Sequence, residues 1–221
     1  MEQIKLGLRL EAVASFIRDG AKVADIGTDH GFLPIWLRKS GLASSVIASD
    51  LNPAPLATAK RNAERYKVTD IQFRLSFGLQ AVDPEEVDTV VISGMSGETI
   101  VSILAEAAWF WGGKRLVLEA NTKHPELLTW LYQNDLHIEG ERTPVDNGRC
   151  YRVYCAELGR RALPRPAYLW GGFSDSPYAR RQADLLKKSL LGLERSSNEE
   201  DLLRKEEYQH ILEDMLDAYH W

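Results

Sequence analysis

The stretch Val23-Ala24-Asp25-Ile26-Gly27-Thr28-Asp29-His30-Gly31-Phe32-Leu33 decides the fold, because it reads as a strand end running into a helix start. Apolar Val23, Ala24 and Ile26 lead in, and Phe32, Leu33, Ile35, Trp36 and Leu37 follow as an amphipathic helix. Gly27 lets the backbone pass close to a ligand where a Cβ would collide. Asp29, beside that gap, is unfavourable for a pyrophosphate, whose charge needs bare N–H groups at a helix N-terminus. It suits a sulfonium, which is positive at its reacting centre. The loop therefore favours S-adenosylmethionine as cofactor over NAD or ATP.

Outward from this loop, apolar strand-like runs alternate with amphipathic helical ones. A first helix is expected over Leu8–Ile17, stopped by Asp19-Gly20. Strands are expected at Lys22–Ile26, Ser45–Ser49, Ile71–Leu75, Thr89–Ser93 and Arg115–Glu119. The helices between them begin near Gly31, Pro53, Gly97 and His124, with Pro53 in a first turn, where its missing N–H costs nothing. This alternation implies a doubly wound, mostly parallel α/β sheet. Leu136–Glu141 and Tyr151–Ala156 flank the turn-rich Pro144-Val145-Asp146-Asn147-Gly148 and should pair antiparallel. A parallel sheet closing on an antiparallel hairpin is the Rossmann-like, seven-stranded architecture of class I methyltransferases.

The composition changes after Leu158, so residues 1–158 are expected to form the catalytic domain. Residues 159–176 read as a linker, since the stretch from Arg160 to Pro177 holds three prolines and the Gly171-Gly172 pair. Residues 177–221 read as an antiparallel, coiled-coil-like helical hairpin. Its first helix starts at Ser176-Pro177 and carries Leu186, Leu190 and Leu193 on one face. Ser197-x-x-Glu200 matches a capping box for the second, which carries Tyr208, Leu212, Met215 and Tyr219.

Hydrophobic content of 44% and charged content of 27% are ordinary for a soluble globular protein. No apolar run approaches the roughly 20 residues of a membrane span, and the N-terminus lacks a signal-peptide core. Cys150 and Cys155 fall on opposite faces of a strand, so they should not bridge, and two buried thiols fit a reducing, cytoplasmic setting. The net charge of −5 argues mildly against nucleic acid but hides a segregation. Gly159–Arg195 holds eight basic residues against three acidic, and Ser196–Trp221 two against eight. Such a pattern fits an RNA grip, and equally two helices pairing with each other.

Asp50 ends the second strand about 20 residues after the glycine loop, where a carboxylate can accept both ribose hydroxyls of an adenosine cofactor. A helix cap is the plainer role for it. Ser76-Phe77-Gly78 follows the third strand, where Gly78 permits close approach and Phe77 offers a ring for adenine, or serves as an ordinary core residue in a turn. Ser93-Gly94-Met95-Ser96-Gly97 sets small residues at the carboxyl edge of the sheet, where open α/β folds bind ligands. No histidine pair has metal spacing, so no metal is expected, and neither a nucleophile elbow nor a P-loop occurs.

Leu10-Glu11-Ala12-Val13-Ala14-Ser15-Phe16, Asp25-Ile26-Gly27-Thr28-Asp29-His30 with Leu33-Pro34, Gly94-Met95-x-Gly97 and Asn121 together resemble the bacterial tRNA (adenine-22-N1)-methyltransferase family. The resemblance covers roughly residues 1–158, and its specific part is Asp29-His30, since generic methyltransferases carry glycine there. It implies S-adenosylmethionine-dependent methylation of adenine N1 in the D-arm region of tRNA. By position, Asp29 would act on the target base. Gly27, Thr28 and Asp50 would hold the cofactor, and Gly78, Gly94 and Met95 would line its pocket; Asp25, His30, Leu51 and Phe77, which neighbour these positions in sequence, are further candidate cofactor contacts. Two positions depart from the pattern. Phe77 stands where the family commonly has an aspartate for the cofactor's adenine amino group, and Ser96 replaces a second glycine and should narrow the pocket floor.

N1 of adenine has a free lone pair, so the enzyme's task is mostly alignment. A fixed carboxylate accepting from the adenine amino group would favour the developing charge, a role open to Asp29, whose bland alternative is a helix cap. Lys5, Arg9, Arg180, Arg181, Lys187 and Lys188 are the candidate RNA-binding residues. A monomer or weak dimer is expected. The alternatives are a methyltransferase acting on a small molecule or protein, and a non-enzymatic nucleotide-binding scaffold.

Overall fold

The computed structural model describes residues 4–107, 113–194 and 196–221, so Arg195 of the basic stretch lies outside the described residues. The chain divides into two compact units, ending and beginning at Arg161 and Ala162.

The first unit opens with α1 (Leu8–Ala14), followed by β1 (Ala21–Ile26), α2 (Phe32–Ser40), β2 (Ala43–Asp50), α3 (Pro53–Arg65), β3 (Ile71–Leu75) and β4 (Thr89–Ser96). Then come α4 (Gly97–Glu106), β5 (Arg115–Thr122), α5 (His124–Gln133), β6 (Leu136–Arg142), β7 (Val145–Asp146), β8 (Arg149–Cys150) and β9 (Val153–Leu158). Seven strands form one sheet in the order β3-β2-β1-β4-β5-β9-β6, with β1 to β5 parallel and β9 antiparallel to both its neighbours. This is the architecture expected of the sequence. The central strands are apolar almost without alternation (Val90, Val91 and Ile92 fully buried), as befits a parallel sheet covered on both faces.

Asn147 and Gly148 both take positive φ (48° and 74°), the signature of a two-residue hairpin turn joining β7 to β8. Tyr151 and Arg152 therefore precede the last strand, which starts at Val153 rather than Tyr151. Asp146 in this small hairpin accepts from the Arg9 backbone N–H at 3.2 Å, so it caps a helix whose own N-terminal residue, Gly7, supplies no side-chain cap. At the far edge of the sheet a buried polar cluster is fully paired. Arg152 bonds Glu141 and lies 4.9 Å from the Tyr154 ring centre, and Tyr154 Oη meets His124 Nδ1 at 2.6 Å. Burial holds His124 neutral, with its pKa pushed down to about 3.

The second unit comprises α6 (Pro166–Gly171), α7 (Pro177–Leu193) and α8 (Glu199–Tyr219). Residues 159–176 were expected to be a linker, yet Pro166 starts a helix there whose Ala167 and Leu169 are buried. Proline in a first helical turn is a start signal as well as a loop signal. The helix is anchored to α8: Arg165 Nε meets Asp214 Oδ1 at 2.8 Å, Arg165 Nη2 meets Asp217 Oδ2 at 2.8 Å, and Tyr219 Oη donates to the Ala167 carbonyl at 3.0 Å. The α8 cap is Asn198, whose side chain accepts from Glu200 N–H at 2.8 Å, one residue beyond the expected Ser197. Among the described residues no α7 cation pairs with an acid of α8; the cross-helix ion pairs run from Arg165.

Candidate active site

The sheet order reverses between β1 and β4, the place at the carboxyl ends of the strands where open α/β sheets form a ligand crevice. A cavity of about 660 Å³ fills the crevice, within the range of small-molecule sites. Asp25, Gly27, Thr28, Asp29, His30, Asp50, Leu51, Phe77, Gly78, Gly94 and Met95 all line it. The local geometry explains why the sequence folds this way. Gly27 takes φ +76°, and a Cβ there would overlap the Met95 methyl group. The N–H groups of Gly27 and Thr28 both donate to the Ser49 carbonyl, at 2.8 and 2.9 Å. Asp29 N–H and Asn52 N–H donate to Asp50 Oδ2 (3.2 Å) and Oδ1 (2.8 Å). The amides of Gly27, Thr28 and Asp29 are thus spent inside the protein, and the two carboxylates beside them disfavour a phosphate.

Asp50 is buried and fixed by those two amides at the cavity wall, while the N-terminal cap of α3 is Asn52. Asp25 is also buried, and its carboxyl is pushed up to about 6 by burial. The Thr28 hydroxyl and the Arg9 charge offset this in part, and the nearby Asp50 adds to it. Asp29 differs from both. It sits at φ +51°, a conformation aspartate tolerates better than most residues, and its side chain is 68% exposed. Its carboxylate makes no cap on α2, and His30 Nε2 lies 3.6 Å away. Phe77 lines the cavity half-buried, and a Cβ on Gly78 would press on Ile103 at 2.9 Å. Ser96 does not narrow this cavity: its hydroxyl accepts from Thr99 N–H at 3.1 Å and caps α4.

Arg9 turns inward rather than toward solvent. Its Nη1 donates to Ser93 Oγ (2.9 Å) and Glu119 Oε2 (2.8 Å), and its guanidinium lies 5.7 Å from the Tyr151 ring centre. A wholly buried carboxylate needs such a partner, and Glu119 is fully inaccessible. Lys5 is exposed. On α7, Arg180 bonds Asp175 and lies over Trp221, and Lys187 stands 3.9 Å from Asp184. Arg181 and Lys188 project without an ion-pair partner among the described residues. The sequence reading missed Leu10, Phe32, Thr99, Ile103 and Tyr151 as lining residues, since an isolated apolar or aromatic side chain carries no local mark of facing a cavity.

A methyltransferase-domain family profile matches residues 6–154. The tRNA (adenine(22)-N(1))-methyltransferase of Bacillus subtilis is 36% identical over 163 residues, 73% of this chain and 68% of that protein. The crystal structure of the B. subtilis m1A22 tRNA methyltransferase TrmK is 27% identical and superposes with a TM-score of 0.88, covering 98% of this chain and 99% of that one. Sp1610 of Streptococcus pneumoniae, in complex with S-adenosyl-L-methionine, is 27% identical with a TM-score of 0.80, covering 97% and 99%. The crevice at the β1–β4 reversal, its fixed Asp50, its Asp29-His30 loop and these relatives lead to one conclusion: the chain belongs to the tRNA (adenine(22)-N(1))-methyltransferase family.

Proposed function

We propose that this protein transfers the methyl group of S-adenosylmethionine to N1 of an adenine in tRNA, at position 22 as the name of its B. subtilis relative states. The observation that carries the reading is the wall built by Gly27, Asp50 and Asp29: a bare backbone surface, a fixed buried carboxylate and an open one. Asp50 would accept from the ribose hydroxyls, Phe77 and Gly78 would flank the adenine, and buried Asp25 would face the cationic amino-acid end. When bound, the cofactor supplies an electrophilic methyl group on a sulfonium. Asp29 then has an electrostatic task. The positive charge moves onto the base as the methyl transfers, and a carboxylate at the acceptor end stabilises it more there than in the ground state. Arg181 and Lys188 on α7, with Lys5, would meet RNA phosphates.

The test is methyl transfer from labelled S-adenosylmethionine to unmodified tRNA, with nucleoside analysis and parallel calorimetry of S-adenosylhomocysteine binding. The expected product is 1-methyladenosine. Asp29→Asn should keep S-adenosylhomocysteine affinity within about threefold and lose about 100- to 1000-fold in turnover, the cost of removing one charge-stabilising group. Binding without any incorporation into tRNA would sink the assignment of the acceptor.

A further inference from the structure

The cavity rim carries one hydrogen-bonding group whose polarity is dictated by its anchor. Asn121, near the end of β5, lines the cavity from an exposed position. Its Nδ2 donates to the Gly94 carbonyl at 2.8 Å. A carbonyl only accepts, so this bond sets the orientation of the carboxamide. One N–H of the amide is used on this anchor, which holds the carboxamide plane, and Oδ1 at its other end is a fixed group that accepts and cannot donate. Its surroundings are equally rigid. Gly94 takes φ +85°, with Arg9 Nη1 3.6 Å from where a Cβ would stand. Arg9 is tied to Ser93 and Glu119, and Tyr151 lines the cavity beside it. The Asp29 carboxylate, by contrast, is mostly exposed and held only loosely by His30.

An adenine offers a lone pair at N1 and an N–H donor on its adjacent 6-amino group. Guanine and hypoxanthine reverse both, with a proton at N1 and an acceptor at position 6. A fixed acceptor therefore pairs with adenine and repels the other two. We propose that Asn121 is a specificity-determining residue that accepts from the 6-amino group of the target adenine, with the Tyr151 ring as a surface for that base. The proposal rests on the adenine-N1 reading above and assigns the reading of the base edge, as distinct from charge stabilisation by Asp29. Stacking of an extruded base on an aromatic side chain is a common way for base-modifying enzymes to hold their target.

The experiment removes one atom group from each side. Two tRNAs are made by ligation of synthetic pieces, one with adenine at the target position and one with unsubstituted purine, which keeps the N1 lone pair and lacks the amino group. Wild-type enzyme should lose about tenfold in kcat/KM on the purine tRNA, the cost of one hydrogen bond. Asn121→Ala should lose about as much on the adenine tRNA and nothing further on purine. In complexes with S-adenosylhomocysteine, tRNA dissociation constants should follow the same pattern without turnover. Equal rates of wild-type enzyme on both tRNAs would overturn the proposal whether or not the variants fold. So would an undiminished adenine preference in Asn121→Ala, which would move the contact to Asp29. Absence of N1 methylation on the adenine tRNA would instead reject the reading on which the proposal rests.

Discussion

Gly27→Ala isolates the part of the site most directly tied to ligand approach, and Gly20→Ala is its matched control. The two glycines share nearly the same backbone conformation (φ +76° and +75°), and an alanine forced into that region costs roughly 1–2 kcal/mol. A Cβ on Gly20 would meet nothing within 4 Å. A Cβ on Gly27 would meet only the Met95 methyl, the far end of a flexible thioether that swings aside cheaply. Both variants should therefore melt lower by a similar amount, about 2–8 °C for a protein of this size. Their binding should diverge. In Gly27→Ala the new methyl occupies space the ligand needs, and overpacking of about 1–3 kcal/mol weakens S-adenosylhomocysteine binding by about 5- to 150-fold. In Gly20→Ala the affinity should stay at the wild-type value. Scanning calorimetry and titration calorimetry read both quantities. Wild-type affinity in Gly27→Ala would refute the close approach, and equal loss in both variants would reassign the effect to stability.

Three further outcomes are expected. Asp25 loses its proton near pH 4 when unfolded and about 6 when folded, so across that window the folded state binds more protons and its stability falls as pH rises. Asp25→Asn should flatten the wild-type slope in urea midpoints between pH 4 and 7, and parallel curves would disprove this account. Cys155 is buried, with its thiol pushed up to about 11 chiefly by burial, whereas Cys150 is half-buried, so a thiol reagent should titrate Cys150 first and Cys155 only on denaturation. Neutralising Arg181 and Lys188 together should weaken tRNA binding and reduce its salt slope by about 2, one per lost phosphate contact. An unchanged slope would remove α7 from the RNA-facing surface.

The crevice wall at Gly27 and Asp50 was legible because its determinants are local. A glycine after an apolar run and a carboxylate at the next strand end sit in the turns that order a doubly wound sheet, so spacing alone brings Gly27 and Asp50 to one crevice. Arg9 was not legible. Its surroundings on α1 suggest an ordinary surface cation, while its partner Glu119 lies 110 residues away and declares itself only once β5 is in place. Ser96 shows a related failure, since a small residue between two glycines reads as pocket floor until its hydroxyl is seen to cap α4. In residues 159–176 the prolines and glycines that argue for a loop also start and end the short α6, and burial of Ala167 and Leu169 decides between the two.

The cap that Asp146 provides to α1 has a consequence for how the protein is made. Donor and acceptor are 137 residues apart, so α1 can gain this bond only after that much further chain has been synthesised. Until then the helix carries Arg9 without the carboxylate that ends its fraying, and it also lacks Glu119, which emerges only slightly earlier. The Arg9 side of the crevice is thus completed only after all five parallel strands have been synthesised. A nascent chain arrested before Asp146 has left the exit tunnel should carry the core strands but expose α1 to protease, and release past that point should protect it.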